Sequence, residues 1–126
     1  MKSAHDLVAE AKVRTHEVEL QATEAAIRNA DLLLEVREAD EFQAGHIPGT
    51  LNIPRKILEF KIDNTPELST RDLGIVLYCK TSGRAAPAAA PLQDMGYRKV
   101  RSIAGGFDAW SAAGKAVTTP SLPSFE

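Results

Sequence analysis

One cysteine stands in the chain, Cys79, following the apolar run Leu73-Gly-Ile-Val-Leu-Tyr78 and preceding Lys80-Thr-Ser-Gly-Arg84 and an alanine-rich stretch. A thiolate is a strong nucleophile and a thiol is not, so the surroundings decide what this residue can do. A tight loop of small and polar residues between a strand and a helix turns successive backbone N–H groups inward as an anion nest, and the helix N-terminus adds partial positive charge. Lys80 and Arg84 lie at either end of that loop. A Cys79 thiolate is therefore expected to be held by amides, by the helix dipole and by two full charges, without a histidine or aspartate beside it as base. A lone cysteine is otherwise an inert small core residue, and the loop is what distinguishes this one. One cysteine cannot form an internal disulfide or a zinc site of several thiolates, and His5, His16 and His46 lack metal-ligand spacing, so no metal is expected.

Three other residues carry polar chemistry. Glu35 and Arg37 end the run Asp31-Leu-Leu-Leu-Glu-Val-Arg37; two apart on a strand, they point to one side, and Glu41 is within reach of Arg37. A structural ion pair and a direct catalytic role are both open to this pair, the first being the simpler. His46 is either a proton donor at the rim of the site or a ring that ties two loops together, and the turn around Pro48 favours the second. Gly105-Gly106 lacks the spacing of a nucleotide fingerprint and is read as a close turn before a helix carrying Phe107 and Trp110 into the core.

Positioning these residues calls for alternating strands and helices. Ala4, Leu7, Val8 and Ala11 recur at helical spacing, so an amphipathic helix opens the chain over residues 3–13. Residues 18–20 read as a brief edge strand, and Thr23 as the cap of a helix over 24–29. The run 31–37 has the length and apolarity of a parallel strand covered on both faces. Residues 39–43 make one or two helical turns, and His46-Ile-Pro-Gly49 a tight turn with Pro48 fixing φ and Gly49 supplying a positive one. A short strand at 51–53 follows, and Pro54 opens a helix through about Lys61. Polar residues 64–71 form a surface loop, 73–78 the second buried strand, 99–103 a third and 107–112 a last helix. In the helix after the cysteine loop, Pro91 removes an interior hydrogen bond and is expected to cost ~3 kcal/mol or to kink the helix. The tail after Lys115 is expected to be loosely held. Together these elements predict an α/β fold with a mostly parallel sheet, helices on both faces in three layers, and right-handed crossovers. Ligands of such sheets bind at the carboxyl ends of the strands, where Glu35-Val-Arg37 and Cys79 both lie.

With 126 residues the chain is one domain's worth, read as a helical lead-in over 1–19, a main domain over 20–117 and a tail over 118–126. Apolar residues at 44% and charged residues at 25% exclude collagenous and disordered readings. The longest stretch without a polar side chain, 85–92, holds two prolines and falls far below the ~20 residues of a membrane span, so no membrane partner is expected. A net charge of −2 gives no general pull toward nucleic acid. The charge is uneven: residues 79–101 carry Lys80, Arg84, Arg98, Lys99 and Arg101 against Asp94 alone, a stretch that suits a small anion. Arg98, Lys99 and Arg101 are read as solvating a strand and its approach. An unpaired cysteine suits a reducing compartment and the first residues lack a signal-peptide stretch, so a cytoplasmic location is expected.

Five blocks, in order, resemble a known family. Glu35-Val-Arg-Glu-Ala-Asp-Glu-Phe42, Gly45-His-Ile-Pro-Gly-Thr-Leu-Asn-Ile-Pro54, the Cys79 to Arg84 loop, Gly96-Tyr97, and Ala104-Gly-Gly-Phe-Asp-Ala-Trp110 with Ala113-Gly114 look like a single-domain rhodanese over about residues 20–117. The resemblance implies a sulfurtransferase on a rhodanese-like, five-stranded sheet, with Cys79 as the nucleophile that becomes a persulfide. It implies that the amides of Lys80, Thr81, Ser82, Gly83 and Arg84 cradle the sulfur, with Glu35, Arg37 and His46 in support and no cofactor. The expected donor is thiosulfate or a similar small anion. The expected acceptor is external: cyanide, glutathione, thioredoxin or a partner protein. A persulfide-carrying or sensing module that docks a partner is the alternative. Related cell-cycle phosphatases place five residues between Cys and Arg, whereas four stand here, and the shorter ring suits a sulfur atom better than a phosphoryl group. The family usually has Asp where Glu35 stands and a hydroxyl residue where Ala85 stands.

Overall fold

The computed structural model describes residues 1–81 and 85–120, with side chains for all of these except residues 12–14. Its sheet consists of β1 (His16–Val18), β2 (Leu32–Glu35), β3 (Leu51–Asn52), β4 (Gly74–Tyr78) and β5 (Lys99–Ile103), every pairing parallel, in the order β1-β5-β4-β2-β3. The helices are α1 (Ala4–Arg14), α2 (Leu20–Asn29), α3 (Ala39–Ala44), α4 (Leu58–Asp63), α5 (Ala85–Asp94) and α6 (Gly106–Ala112). The expected three-layer α/β architecture is the one observed.

Strand alternation divides the core in two. On one face Leu34, Val36, Ile75, Leu77, Cys79 and Val100 pack with Leu58 and Ile62 of α4 and with Ala88, Ala89 and Leu92 of α5. On the other, Val18, Leu33, Val76, Tyr78 and Ile103 pack with Ala26 of α2 and Trp110 of α6. Alanines on α5 let that helix sit close over the central strands, and they explain why a helix rich in a strong former tolerates two prolines. Pro87 lies in the first turn, where no intrahelical N–H is needed, whereas Pro91 lies inside. The helix carries on past it, the Met95 N–H donating to the Pro91 carbonyl at 2.9 Å.

Several boundaries differ from expectation for physical reasons. The edge strand is His16–Val18 rather than 18–20, because Val18 pairs with Ile103 at the end of β5. The α2 helix begins at Leu20, so Thr23 is not its cap; it is fully buried, and its hydroxyl donates back to the Glu19 carbonyl at 3.0 Å. The stretch after Pro54 winds first as a 3-10 turn, Arg55–Ile57, before α4. Beyond Lys115 the chain is not loose at once: the Trp110 indole N–H donates to the Ala116 carbonyl at 2.7 Å, and Thr118 exchanges two backbone hydrogen bonds with His46. Gly49 has the positive φ, 86°, that its turn was expected to need.

Candidate active site

β4, the central strand, delivers Cys79 to the carboxyl end of the sheet, one residue past its own end. The residue is 1% exposed, packed in the core on the α4–α5 side, and its thiol donates to the Thr81 carbonyl with Sγ 2.6 Å from the oxygen. The following backbone is anchored from below. Phe107 and Asp108, in the first turn of α6, donate their N–H groups to the carbonyls of Cys79 and Lys80 at 2.8 and 2.9 Å. Helix N–H groups that would otherwise lack partners are thereby satisfied. In a trans peptide the N–H points opposite to the C=O. With both carbonyls turned toward α6, the amides of Lys80 and Thr81 point away from it. Lys80 and Thr81 are exposed. Ser82, Gly83 and Arg84, which complete the predicted nest, lie outside the described residues.

This close contact depends on Gly106. Its φ is +59°, and a Cβ there would stand 2.6 Å from the Cys79 carbonyl oxygen and closer still to that of Thr81. The Gly105-Gly106 pair was read as a close turn ahead of a core helix. Its second glycine turns out to be the floor on which the cysteine loop rests.

Glu35 and Arg37 lie on the opposite face from Cys79. The register pairs Glu35 with Tyr78, so Glu35 and Tyr78 share the α2–α6 side. Glu35 is fully buried and Arg37 is 5% exposed. The Arg37 Nε and Nη2 both reach Glu35 Oε1, at 2.9 and 2.5 Å, and Nη2 also donates to the Gly45 carbonyl at 2.5 Å. The guanidinium sits 4.2 Å from the centroid of Phe107, the residue whose amide holds the Cys79 carbonyl. Burial pushes the Glu35 carboxyl above its ordinary value; the hydrogen bond and charge of Arg37 pull it back only in part, with smaller help from Tyr78 and His46. The pair ties the end of β2 to the Gly45 carbonyl and packs against the Phe107 ring of α6. Glu41, expected within reach of Arg37, accepts the Glu38 backbone N–H at 2.9 Å and closes a capping box on α3.

His46 ties two loops together through its backbone rather than through its ring. Its N–H and C=O pair with Thr118, while the ring stacks on Phe42 with centroids 3.8 Å apart and its Nδ1 lies 3.1 Å from the Phe42 carbonyl oxygen.

Three polar residues of this region were not singled out from sequence. Asn52 donates to the Arg37 carbonyl at 2.9 Å and to both the carbonyl and Oε2 of Glu35, at 3.2 and 3.3 Å. The Tyr78 hydroxyl accepts from the Ile47 N–H at 3.1 Å and lies 2.9 Å from the Thr50 hydroxyl. Burial pushes the Tyr78 phenol well above its ordinary value. A polar side chain interrupting a short apolar strand, as Asn52 does within Leu51-Asn-Ile53, was the signal available. Among the described residues no group of His, Cys, Asp or Glu is placed to hold a metal ion. Nor is any described helix long and apolar enough to cross a membrane.

The model of the rhodanese-like domain matches residues 19–113. This chain belongs to that family. A sulfurtransferase of Allochromatium vinosum is 30% identical to it over 71% of this chain and 79% of that protein. Among solved structures, a Rhodopseudomonas palustris protein of unknown function, described as a possible tyrosine phosphatase, superposes with a TM-score of 0.82 at 28% identity over 94% of this chain and 96% of that one. The human single-domain sulfurtransferase TSTD1 superposes with a TM-score of 0.69 at 26% identity over 76% and 95% of the two chains. The match runs from just before α2 to the end of α6, so α1 and β1 lie outside it.

Proposed function

We propose that this rhodanese-like domain is a sulfurtransferase that carries sulfane sulfur on Cys79, taking it from thiosulfate or a similar anionic donor. The observation that carries this reading is the clamping of the Cys79 and Lys80 carbonyls by α6, which leaves the next amides facing the other way beside the only thiol in the chain. Amides fixed in advance stabilise developing negative charge without reorganising. In the reaction the Cys79 thiolate attacks the outer sulfur of the donor. A Cys–S bond forms as the donor's S–S bond breaks, and sulfite departs with the bonding pair. An acceptor nucleophile then attacks the outer sulfur of the persulfide and restores the thiolate. Lys80 and Arg84, at the two ends of the loop in sequence, supply charge for the donor's oxygens. Because no second cysteine exists, the sulfur leaves to an external acceptor such as cyanide, glutathione, thioredoxin or a partner protein. A reducing compartment such as the cytoplasm suits a free catalytic thiol.

The four-residue spacing between Cys79 and Arg84 speaks against phosphoryl transfer on this loop. A second reading, a persulfide-bearing module that hands sulfur to one docked protein, draws on the enclosure of Cys79, which is only 1% exposed. Intact-mass measurement after thiosulfate treatment tests both. The expected result is a gain of one sulfur, removed by dithiothreitol and absent from Cys79→Ser; equal behaviour of the two proteins overturns the sulfur-carrying reading. Rapid thiosulfate-to-cyanide turnover then favours the enzyme, and loading without turnover favours the module.

A further inference from the structure

A cavity lies at the far end of the sheet from Cys79. It measures about 580 Å³ and is bounded by the first residues of three strands, His16 of β1, Gly74 of β4 and Lys99 of β5, together with Arg98 and Arg101. β5 is flanked by β1 and β4, and an inner strand of a parallel sheet is ordinarily covered on both faces. Here Lys99 and Arg101 alternate onto one face and are exposed, while Val100 and Ser102 on the other are buried. The register sets His16 directly beside Arg101. Three basic side chains thus crowd one patch of the sheet.

Opposite charges do not compensate them. Among the described residues no carboxylate lines the cavity. Of the nearby acids, Asp72 is engaged with Arg98 and Asp31 accepts the Gly74 N–H at 2.8 Å. Lys99 and Arg101 form no ion pair among the described residues. Like charges side by side on a sheet are mutually destabilising, and a concave wall of low dielectric concentrates their field. The side-chain amides of Asn29 and Gln93 at the rim add neutral hydrogen-bonding groups. The volume falls in the range of small-molecule sites and exceeds what a single oxyanion fills.

We propose that this cavity binds a small polyphosphate, inorganic or carried by a nucleotide, at a site separate from the cysteine loop. Lys99 and Arg101 hold the phosphate oxygens from one strand, His16 and Arg98 close the sides, and the amides meet whatever neutral part the ligand has. The site is independent of the sulfur chemistry, so it stands or falls alone.

Titration of the isotopically labelled protein with inorganic tripolyphosphate at low salt, followed by amide chemical shifts, is the test, with ATP as a second arm. Saturable shifts at residues 16, 98, 99 and 101, weakened about tenfold or more in the doubly charge-reversed Lys99→Glu/Arg101→Glu and less in Lys99→Gln/Arg101→Gln, are expected, since both charges act within a Debye length. Tighter binding of ATP identifies a nucleotide site, and equal binding a site for the phosphate chain itself. Sulfur loading of Cys79 should be unchanged in both variants. No saturable shift, shifts centred on the Cys79 loop, or undiminished binding by the charge-reversed protein overturns the proposal. So does a single-stranded oligonucleotide that binds the same residues more tightly than tripolyphosphate.

Discussion

At the carboxyl end of the sheet the two faces are built on opposite principles. On the α2–α6 side, Glu35, Arg37, Asn52, Thr50 and Tyr78 satisfy one another and the backbone of the Gly45 and Ile47 turn, with Glu35, Arg37 and Tyr78 buried and Asn52 and Thr50 half-buried. On the α4–α5 side, Cys79 sits among alanine, leucine and valine and its thiol contacts the backbone of its own loop. The first arrangement is rigid because each partner is over-determined; a buried network of this kind holds geometry only while every member is present. The second places its sulfur against the Thr81 carbonyl of its own loop and among apolar side chains. The division suggests that positional stiffness is supplied from one layer so that chemistry can proceed in the other.

Breaking the stiff side should cost stability first. Glu35→Ala strands the Arg37 guanidinium in the interior, and the expected loss is about 3–5 kcal/mol, read as a lowered urea midpoint. Gly106→Ala forces a Cβ against two carbonyl oxygens at a positive φ, with an expected loss of roughly 2–4 kcal/mol and weakened sulfur loading in whatever protein folds. Tyr78→Phe removes the acceptor of the Ile47 N–H and should cost about 1–3 kcal/mol while leaving loading measurable. Cys79→Ala, on the other face, should cost only about 1 kcal/mol yet abolish loading altogether. If Cys79→Ala proved as destabilising as Glu35→Ala, the proposed division of labour between the faces would be wrong.

Acidity sharpens the same contrast. Because the folded protein raises the Glu35 carboxyl above its unfolded value, the native state binds that proton more tightly. The resulting contribution to stability is present below the ordinary carboxylate range and is lost as pH climbs through the raised value. The stability of wild type relative to Glu35→Gln should therefore decline from about pH 4 toward neutrality, in paired urea titrations. A difference that grows with pH would mean that Arg37, not burial, dominates the carboxyl.

Much of this was legible in the residues. Apolar runs of strand length, a proline and glycine turn at residues 48 and 49, and helical spacing between them specified a mostly parallel sheet with helices on both faces, and the family resemblance set its strands at five. The position of Cys79 at a strand end followed from the run that precedes it. What escaped was carried by backbone or by tertiary partners. Thr23 has the chemistry of a cap, but the edge strand ends early enough for α2 to begin upstream of it. His46 has a ring that invites a role, yet its backbone makes the tie to Thr118. Asn52 and Tyr78 became visible as network members only once β3 and β4 flanked β2. The clamp on the cysteine loop is made of amides, which no side-chain pattern announces.

The contact between the Cys79 thiol and the Thr81 oxygen has a consequence for timing. A sulfur that has surrendered its hydrogen has nothing to give that oxygen, and two electron-rich atoms at such a distance repel. In the proposed sulfur-carrying reaction the resting handshake would become a push away from that oxygen. On that reading, a substitution that stiffened the turn at Thr81 is expected to slow loading even with every charged group intact.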